Sequence, residues 1–141
     1  MSNPPPGGKT KVLSLDYNVA AMLCYLPICC ISIIVPILIV ATEPKENKFV
    51  RFHALQSLFL TGVIVVLFGI LWVLSIVLAV GSSTAGSAGS AAGAGIGLLI
   101  LLVECVVGLV LLIVFIMGML KAYKYEIWKL PVIGDLADKN S

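Results

Sequence analysis

Three long apolar segments make up more than half of this chain, and they contain almost no charge. They cover about residues 17–41, 52–80 and 96–120, and the only Asp, Glu, Lys or Arg within them is Glu104. Each segment is longer than the roughly 20 residues that a helix needs to cross a bilayer. The sequence therefore predicts an all-α integral membrane bundle of three helices, or four if the first segment is divided, with a short interfacial C-terminal segment.

The overall composition also indicates that the chain is surrounded by lipid. Of the 141 residues, 60% are apolar and 11% are charged, against roughly 45–50% and about 25% in soluble domains. A soluble chain of this length buries only about two-thirds of its surface, so much of the apolar surface would face water. The lipid bilayer is therefore the expected partner, and a net charge of +2 is too small to indicate nucleic acid.

Two prolines interrupt the first apolar segment. Pro27 and Pro36 each remove a backbone donor and tend to bend a helix, which membranes tolerate when neighbouring groups satisfy the freed carbonyls. We predict one kinked span over residues 17–41. The alternative is a shallow helix up to Leu26 followed by a shorter crossing. The Pro- and Gly-rich residues 1–16 are predicted to form a flexible N-terminal tail.

The segments between and after the apolar runs differ in composition. Residues 81–95 contain only Gly, Ser, Ala and one Thr, which is typical of a flexible linker. In residues 121–141, aromatic rings are interspersed with lysines, as is common at a membrane interface. Pro131 is expected to end any helix that begins at Lys121, which would leave residues 132–137 as a short interfacial piece.

The Lys and Arg residues flank the apolar segments and indicate an orientation. If the chain crosses three times, Lys9 and Lys11 share one side, and the other side holds seven cations: Lys45, Lys48, Arg51, Lys121, Lys124, Lys129 and Lys139. Cytoplasmic loops carry an excess of Lys and Arg. The sequence therefore predicts a multi-pass protein of the cell membrane (inner or plasma membrane) with a cytoplasmic C-terminus. Two half-crossings in the first segment would also place the N-terminus in the cytoplasm.

Glu104 is the sharpest candidate for a function inside the membrane, because a charged side chain at that depth costs about 2.5–3.5 kcal/mol on insertion scales. Helical periodicity places Gly97, Glu104 and Gly108 on one face of the third segment, and glycines on such a face favour close helix packing. One interpretation is a proton or ion relay. The other is a protonated carboxyl group bonded to a neighbouring helix, which the lack of a second intramembrane charge in the sequence favours.

A second candidate lies where the second apolar segment begins. Helical spacing places His53, Gln56 and Ser57 on one side of a helix that enters the membrane, and Arg51 can reach a lipid phosphate. A catalytic role would need a nucleophile and an orienting carboxylate nearby. A structural role needs only that headgroups and loop backbone satisfy the polar groups. We favour the structural role and predict that the protein is not an enzyme.

No metal or cofactor is expected from the sequence. A single His is not a zinc site, and the four cysteines lie inside apolar segments without a Cys-x-x-Cys pair. We interpret Cys24, Cys29, Cys30 and Cys105 as reduced residues that pack as small hydrophobes.

Two motifs support a comparison with a known family. Residues 49–57 read Phe-Val-Arg-Phe-His-Ala-Leu-Gln-Ser, and residues 125–137 read Tyr-Glu-Ile-Trp-Lys-Leu-Pro-Val-Ile-Gly-Asp-Leu-Ala. Together they resemble a bacterial family of small membrane proteins that is similar to the Tic-type import component of the chloroplast inner envelope. The resemblance covers about residues 15–139 and implies a bundle of three or four helices with a cytoplasmic C-terminus.

Two functional hypotheses follow from these features. The first is a non-enzymatic membrane subunit or scaffold that forms a homo-oligomer or binds another membrane protein, and the resemblance adds a link to protein translocation. The second is a small transporter or channel subunit that uses Glu104 together with Gln56, Ser57 or Thr61.

Overall fold

A computed structural model describes residues 8–11, 14–28, 30–84 and 86–141. The described residues form five helices: α1 (Tyr17–Leu23), α2 (Ile31–Thr42), α3 (Lys48–Thr84), α4 (Gly86–Tyr123) and α5 (Ile133–Asn140). No strand occurs within these ranges, so the predicted all-α class is confirmed.

The chain divides into two compact units. The first unit consists of Met1–Gly62 and Leu112–Ser141, and the second unit is Val63–Leu111. The first unit holds α1, α2, α5 and the charged ends of α3 and α4. The second unit holds only the apolar parts of α3 and α4 and the connection between them.

Helices α3 and α4 are long enough and apolar enough to cross a membrane. Their candidate spans are Lys48–Ser83, with 36 residues, and Ala91–Tyr123, with 33 residues. At about 1.5 Å per residue each exceeds the roughly 30 Å of a hydrocarbon core. Large aliphatic side chains such as Val66 and Leu99 are exposed along both helices. These two helices are those of a small helical membrane bundle.

The first apolar segment is not one helix. α1 ends at Leu23, ahead of Pro27, and α2 begins at Ile31, whereas Pro36 is accommodated inside α2. A proline disfavours helical geometry in the residue before it, here Leu26, so α1 does not continue through Pro27. α2 has 12 residues and is therefore about 18 Å long, too short to cross the core alone. The predicted single kinked span is wrong, and the alternative of two shorter helices is closer to the structure.

The segment between Lys11 and Glu43 turns back on itself. The main-chain N–H of Lys11 donates to Oε1 of Glu43 at 2.6 Å, so the residues before α1 and after α2 lie side by side. Oε2 of the same buried carboxylate accepts from Nδ2 of Asn47 at 2.9 Å. α1 and α2 therefore form a helical hairpin whose two ends meet at Glu43.

The residues predicted to form a flexible linker, 81–95, are helical where the structure describes them. α3 continues to Thr84 and α4 begins at Gly86, whose φ of +72° is a conformation that glycine adopts without strain. The hydroxyls of Ser82 and Ser83 donate to main-chain carbonyls one turn earlier, at 3.0 and 2.7 Å. Alanine favours a helix and these hydroxyls are satisfied locally, so the linker prediction is wrong.

The first unit has a small core at which α1, α2 and the start of α3 meet. Its buried members are mainly small or aromatic: Ala20, Ala21, Cys24, Tyr25, Ile39, Phe49, Val50, Ala54 and Ala122. Nδ2 of Asn18 donates to the Tyr123 carbonyl at 3.2 Å, which ties α1 to the last turn of α4. α1 has only seven residues, so its helical conformation is stabilised by contacts with other elements.

The residues before α1 also fold back where they are described. The Tyr17 N–H donates to the Gly8 carbonyl at 3.0 Å, and the Thr10 N–H donates to the Leu15 carbonyl at 2.8 Å. Of the tail predicted to be flexible, residues 1–7 and 12–13 lie outside the described residues.

At the other end of the chain, α4 ends at Tyr123 and α5 begins two residues after Pro131. Between them Val132 has φ 67° and ψ −56°, and the Ile133 N–H donates to the Pro131 carbonyl at 2.8 Å. This is a γ-turn of the strained hand. The short piece expected after Pro131, residues 132–137, falls mostly within α5, and its placement at a membrane interface stays a prediction.

Candidate functional site

Buried polar side chains form a cluster in the first unit, where α1, α3 and the residues after α4 meet. Gln56 lies at its centre and is fully buried. Its Nε2 donates to Oη of Tyr25 at 3.0 Å and to the Trp128 carbonyl at 3.1 Å. Its Oε1 accepts from the Leu130 N–H at 3.4 Å. Both hydrogens and the oxygen of the amide are therefore used within the chain.

His53 lies one turn before Gln56 and is also fully buried, with Nδ1 3.2 Å from Oη of Tyr25. Because Oη already accepts from Gln56, its own hydrogen is available to donate to Nδ1, which assigns the hydrogen of the neutral imidazole to Nε2. Nε2 is buried without a hydrogen bond of normal geometry to any described residue. The rings of Phe49 and Phe52 pack edge-on against it, with centroids 4.8 and 5.3 Å away. His53 thus sits in an aromatic pocket with two polar neighbours, Oη of Tyr25 and the main chain of Glu126.

Arg51 has a different role from the one that the sequence suggested. It is only 8% exposed, and its Nη1 donates to the carbonyls of Val40 and Glu43 at 2.6 and 2.9 Å. The last carbonyls of a helix lack partners within the helix and carry partial negative charge. The guanidinium therefore caps α2 and fixes the α1–α2 hairpin to α3, so the expected contact with lipid phosphate is replaced by one with backbone.

Ser57 completes the set predicted at the start of α3. Its buried hydroxyl donates to the Ala54 carbonyl of its own helix at 2.9 Å. The structure therefore brings His53 and Gln56 together through Tyr25, whereas Arg51 and Ser57 bond to backbone at separate points. Main-chain carbonyls accept from Nη1 of Arg51 and from the Ser57 hydroxyl, whereas Nε of Arg51 is buried without a hydrogen bond to any described residue.

Several members of the cluster were not identified from the sequence. Tyr25 joins His53 to Gln56, and Trp128 and Leu130 contribute only main-chain groups, which no sequence motif displays. Gly118 of α4 lies against Tyr25, because a Cβ there would be 2.7 Å from Cδ1 of the ring. The one available signal was Tyr25 itself, a hydroxyl deep within an apolar segment that must find a partner when buried.

Glu104 belongs to the second unit, whereas the Gln56 cluster belongs to the first unit. It lines a cleft of about 310 Å³ between α3 and α4, together with Ser75, Gly97 and Leu101. Ser75 donates to the Leu71 carbonyl at 2.9 Å, and no described residue forms a hydrogen bond or ion pair with Glu104. Gln56, Ser57 and Thr61, the residues grouped with Glu104 in the transporter hypothesis, belong to the first unit.

The glycines predicted to pack helices differ from those that do so within the chain. At Gly97 and Gly108 a Cβ would meet no described atom within 4 Å. At Gly93 a Cβ would lie 2.2 Å from Cβ of Ser82, so α3 and α4 approach closely there because the glycine has no side chain. Gly97 and Gly108 therefore make no close helix contact with any described residue, and Gly97 lines the cleft.

Two exposed ion pairs hold the residues that follow α4. Lys121 pairs with Glu126, and Lys129 pairs with Asp138. The hydrogen bond and the charge of Lys121 lower the pKa of Glu126, and the hydrogen bond to Asp138 raises the pKa of Lys129. Exposed pairs of this kind contribute little to stability. No group of three or more His, Cys, Asp or Glu that could hold a metal ion occurs in the described part of the chain.

Comparison with known proteins shows the family. Residues 16–137 match the MamF/MmsF family, described as the magnetosome magnetite crystal formation protein family. A UPF0132 membrane protein of Methanocaldococcus jannaschii is 42% identical over 137 residues, 95% of this chain and 96% of the relative. A second one from the same organism is 31% identical over 93% of this chain and 74% of the relative. One from Archaeoglobus fulgidus is 35% identical over 86% and 92%. No solved structure matches the chain.

These matches correct the resemblance drawn from the two sequence motifs. The motifs at residues 49–57 and 125–137 lie within the region matched by the MamF/MmsF family, and the relatives are archaeal membrane proteins. The Tic-type comparison is therefore wrong, and the link to protein translocation that rested on it is withdrawn. The motifs themselves have a structural explanation, since they supply the two sides of the Gln56 cluster.

Proposed function

Since this chain belongs to the MamF/MmsF family and its relatives are membrane proteins, we propose that it is a non-enzymatic, multi-pass membrane subunit or scaffold. It acts by presenting a rigid helical surface to other proteins in the bilayer. The family is described by magnetite crystal formation. The proposal for this chain is based instead on how its buried polar side chains bond within the chain.

The use made of the buried polar groups carries this proposal. Both amide hydrogens and the oxygen of Gln56 bond to other groups of the chain, and Nη1 of Arg51 donates to two carbonyls at the end of α2. These bonds fasten the α1–α2 hairpin and the residues after α4 to the start of α3. Catalysis requires groups positioned to exchange protons with a substrate, whereas these groups hold a fold together. We call the bonds of Gln56 to Tyr25, Trp128 and Leu130 the latch. A scaffold depends on bonds of this kind, because its function is to keep one surface in a fixed conformation.

The arrangement in the membrane follows from the hairpin and from the cations. α3 and α4 provide two crossings, and the α1–α2 hairpin starts and ends at Glu43, so both termini belong on one side. All nine Lys and Arg residues of the chain lie outside residues 52–120. The connection between the two crossings therefore carries no cation. The excess of cations on the other side supports placing both termini in the cytoplasm of a cell membrane.

Cysteine labelling in intact cells tests this topology. In a variant without native cysteines, Lys9→Cys and Lys139→Cys should be protected from an impermeant maleimide until the membrane is permeabilised, and Ser83→Cys should react at once. Labelling of Lys9→Cys and Lys139→Cys from opposite sides would require a third crossing. That result would remove the two-crossing arrangement.

Partner capture tests the scaffold role. Chemical cross-linking in native membranes followed by purification of the tagged chain should recover the same membrane protein, or further copies of the chain, in every repeat. Arg51→Met, which uncaps α2 and loosens the hairpin, should reduce the recovery, and Leu102→Ala, an exposed aliphatic change, serves as the matched control. A chain that is recovered alone and uncross-linked would contradict a scaffold role.

A second candidate function is a small transporter or channel subunit. It is favoured by one observation, the carboxyl group of Glu104 in the cleft between α3 and α4, because an ionisable residue at this depth is costly unless it is used. Glu104→Gln should abolish a pH- or ion-dependent flux into liposomes that the unaltered protein supports. If the unaltered protein supports no flux, the scaffold proposal is the one that stands.

A further inference from the structure

The face of α2 that points away from the first unit is aliphatic. The opposite face of the helix packs inside the unit through three buried residues, Ser32, Pro36 and Ile39. The large side chains on the outward face are between 37% and 54% exposed, and they are Ile33, Ile34, Ile37 and Leu38. Residues 17–42 contain no Asp, Glu, Lys or Arg. A contiguous aliphatic face is rarely left in water, so this one requires an apolar surrounding.

Two contacts between α1 and α4 show the direction in which the α1–α2 hairpin runs. Nδ2 of Asn18 donates to the carbonyl of Tyr123, the last residue of α4. Further along the chain, the ring of Tyr25 lies against Gly118. Gly118 precedes Tyr123 by five residues, which is about 7.5 Å along the helix at 1.5 Å per residue. The chain at Tyr25 is therefore nearer the apolar middle of α4 than the chain at Asn18 is.

Helix α3 gives the same direction. The end of α2 is fixed at Arg51, whose Nη1 donates to the carbonyls of Val40 and Glu43. The residue that follows α1 and its C-cap is fixed at Gln56, whose Nε2 donates to Oη of Tyr25. Gln56 lies five residues beyond Arg51, again about 7.5 Å nearer the apolar part of its helix. The turn after Tyr25 is thus the deep end of the hairpin, and Glu43 marks the shallow end.

We propose that the α1–α2 hairpin is a re-entrant element of the membrane domain. It enters the cytoplasmic leaflet beside α3 and α4, turns near the middle of the bilayer and returns, with the outward face of α2 covered by lipid acyl chains. This rests on the proposed arrangement with two crossings and adds an element that enters the bilayer without crossing it. α2 has 12 residues and is about 18 Å long, whereas one leaflet of the hydrocarbon core is about 15 Å deep. The hairpin therefore has the length of one leaflet.

The turn between the two helices satisfies its backbone groups locally, which lipid requires because no water is available there. The N–H groups of Tyr25, Leu26 and Ile28 each donate to a carbonyl two or three residues earlier, at 3.0, 3.2 and 2.7 Å. Pro27 has no N–H to satisfy. The Ile28 carbonyl accepts from the Ser32 N–H at 3.0 Å, and the Ile28 side chain is exposed. The turn thus presents an apolar side chain outward and keeps these hydrogen bonds within the hairpin.

Lipid fits the outward face of α2 better than a second protein does. Helices that associate in lipid are held by small residues that let their backbones approach, or by polar side chains, and this face carries large aliphatic side chains instead. Directly after the hairpin, Lys45, Glu46 and Lys48 are exposed. Charged residues of this kind belong at the level of the headgroups, so the shallow end of the hairpin lies at the membrane surface.

Collision measurements on spin labels test the proposal. The full chain, without its other native cysteines, is reconstituted into phosphatidylcholine vesicles with one labelled cysteine at a time, in Leu38→Cys, in Ile34→Cys or at Cys30. Each label should collide with oxygen, which dissolves among acyl chains, and should be protected from a water-soluble nickel chelate. The ratio of oxygen to nickel collisions should rise in that order, because each step of four residues adds up to about 6 Å of depth.

Two reference labels fix the scale of this measurement. Lys45→Cys, at an exposed position after the hairpin, gives the value for water, and Val66→Cys, at an exposed position of α3, gives the value for lipid. Nickel collisions at Ile34→Cys as frequent as at Lys45→Cys would overturn the proposal by placing the hairpin in water. Protection of Ile34→Cys from both reagents would overturn it by showing that protein covers the face. Either result leaves the two crossings in place if Lys9→Cys and Lys139→Cys are labelled from one side, whereas labelling from opposite sides would overturn both.

Discussion

Replacing Gln56 by methionine should release the residues after α4 from α3. Methionine has nearly the same volume and is apolar, so the packing of the first unit is kept while three hydrogen bonds are removed. Those bonds join Nε2 to Tyr25 and Trp128, at 3.0 and 3.1 Å, and Oε1 to the Leu130 N–H at 3.4 Å. The Trp128 carbonyl and the Leu130 N–H then have no partner on α3.

The size of the effect follows from the geometry of these bonds. The two shorter bonds are each worth about 0.5–1.5 kcal/mol net, and a buried group left without a partner costs about 1–3 kcal/mol. The bond to Leu130 is long and adds little by itself. Together these values predict a loss of about 2–4 kcal/mol from the free energy that holds the tail against α3. At about 1.4 kcal/mol per factor of ten, the tail should open about thirty- to thousandfold more often.

Hydrogen exchange of the Leu130 amide measures this opening directly. In Gln56→Met its exchange should accelerate by that factor, while amides in the middle of α4 keep their rates. Tyr25→Phe should have a smaller effect at Leu130, because it leaves both bonds of Gln56 to the tail intact. Ser75→Ala, which removes a hydroxyl bonded only within α3, is the control. Exchange at Leu130 in Gln56→Met within about threefold of the unaltered protein would refute the latch.

Three further predictions concern single contacts. Gly118→Val should destabilise the first unit by about 1–3 kcal/mol through overpacking, because a Cβ there lies 2.7 Å from the ring of Tyr25; an unchanged melting temperature in detergent would contradict this contact. Val132→Gly should stabilise the protein by about 1 kcal/mol, since glycine relieves the positive φ and the side chain is 81% exposed; a lower melting temperature would count against the turn. Because the pKa of Glu126 is lowered by Lys121, their ion pair is present above the unfolded pKa and is lost as the pH falls through the folded pKa; Lys121→Gln should move the pKa of Glu126, followed by carboxyl-carbon NMR, upward.

The all-α membrane class could be predicted from the sequence because lipid leaves few alternatives. Apolar runs with only Glu104 as an internal charge must satisfy their backbone groups internally, and helices do so within one segment. The candidate polar residues at the start of α3 could also be identified, since His53 and Gln56 interrupt an apolar pattern. Neither their partners nor their roles could be, because Tyr25 is 31 residues away from Gln56 and Trp128 is 72 residues away.

The errors have a common physical cause. The composition of residues 81–95 predicted a flexible linker. In the structure, the hydroxyls of Ser82 and Ser83 bond to neighbouring carbonyls, and Gly93 lies against the side chain of Ser82. The first segment was expected to cross the membrane from its length, yet its path depends on whether Lys11 meets Glu43. The composition of a segment limits the secondary structures that it can form. It does not show which other segments of the fold contact it.

The sequence by itself therefore determined that the chain belongs in a membrane and that it is helical, because these properties depend on sums over residues. The tertiary structure alone decided that Lys11 lies against Glu43 across the first segment and that Arg51 and Gln56 bond to backbone. It also decided that Glu104 lines a cleft in which no described residue bonds to it. These outcomes depend on contacts between residues that are far apart in the chain, and a buried polar group takes its role from the partner that the fold brings to it.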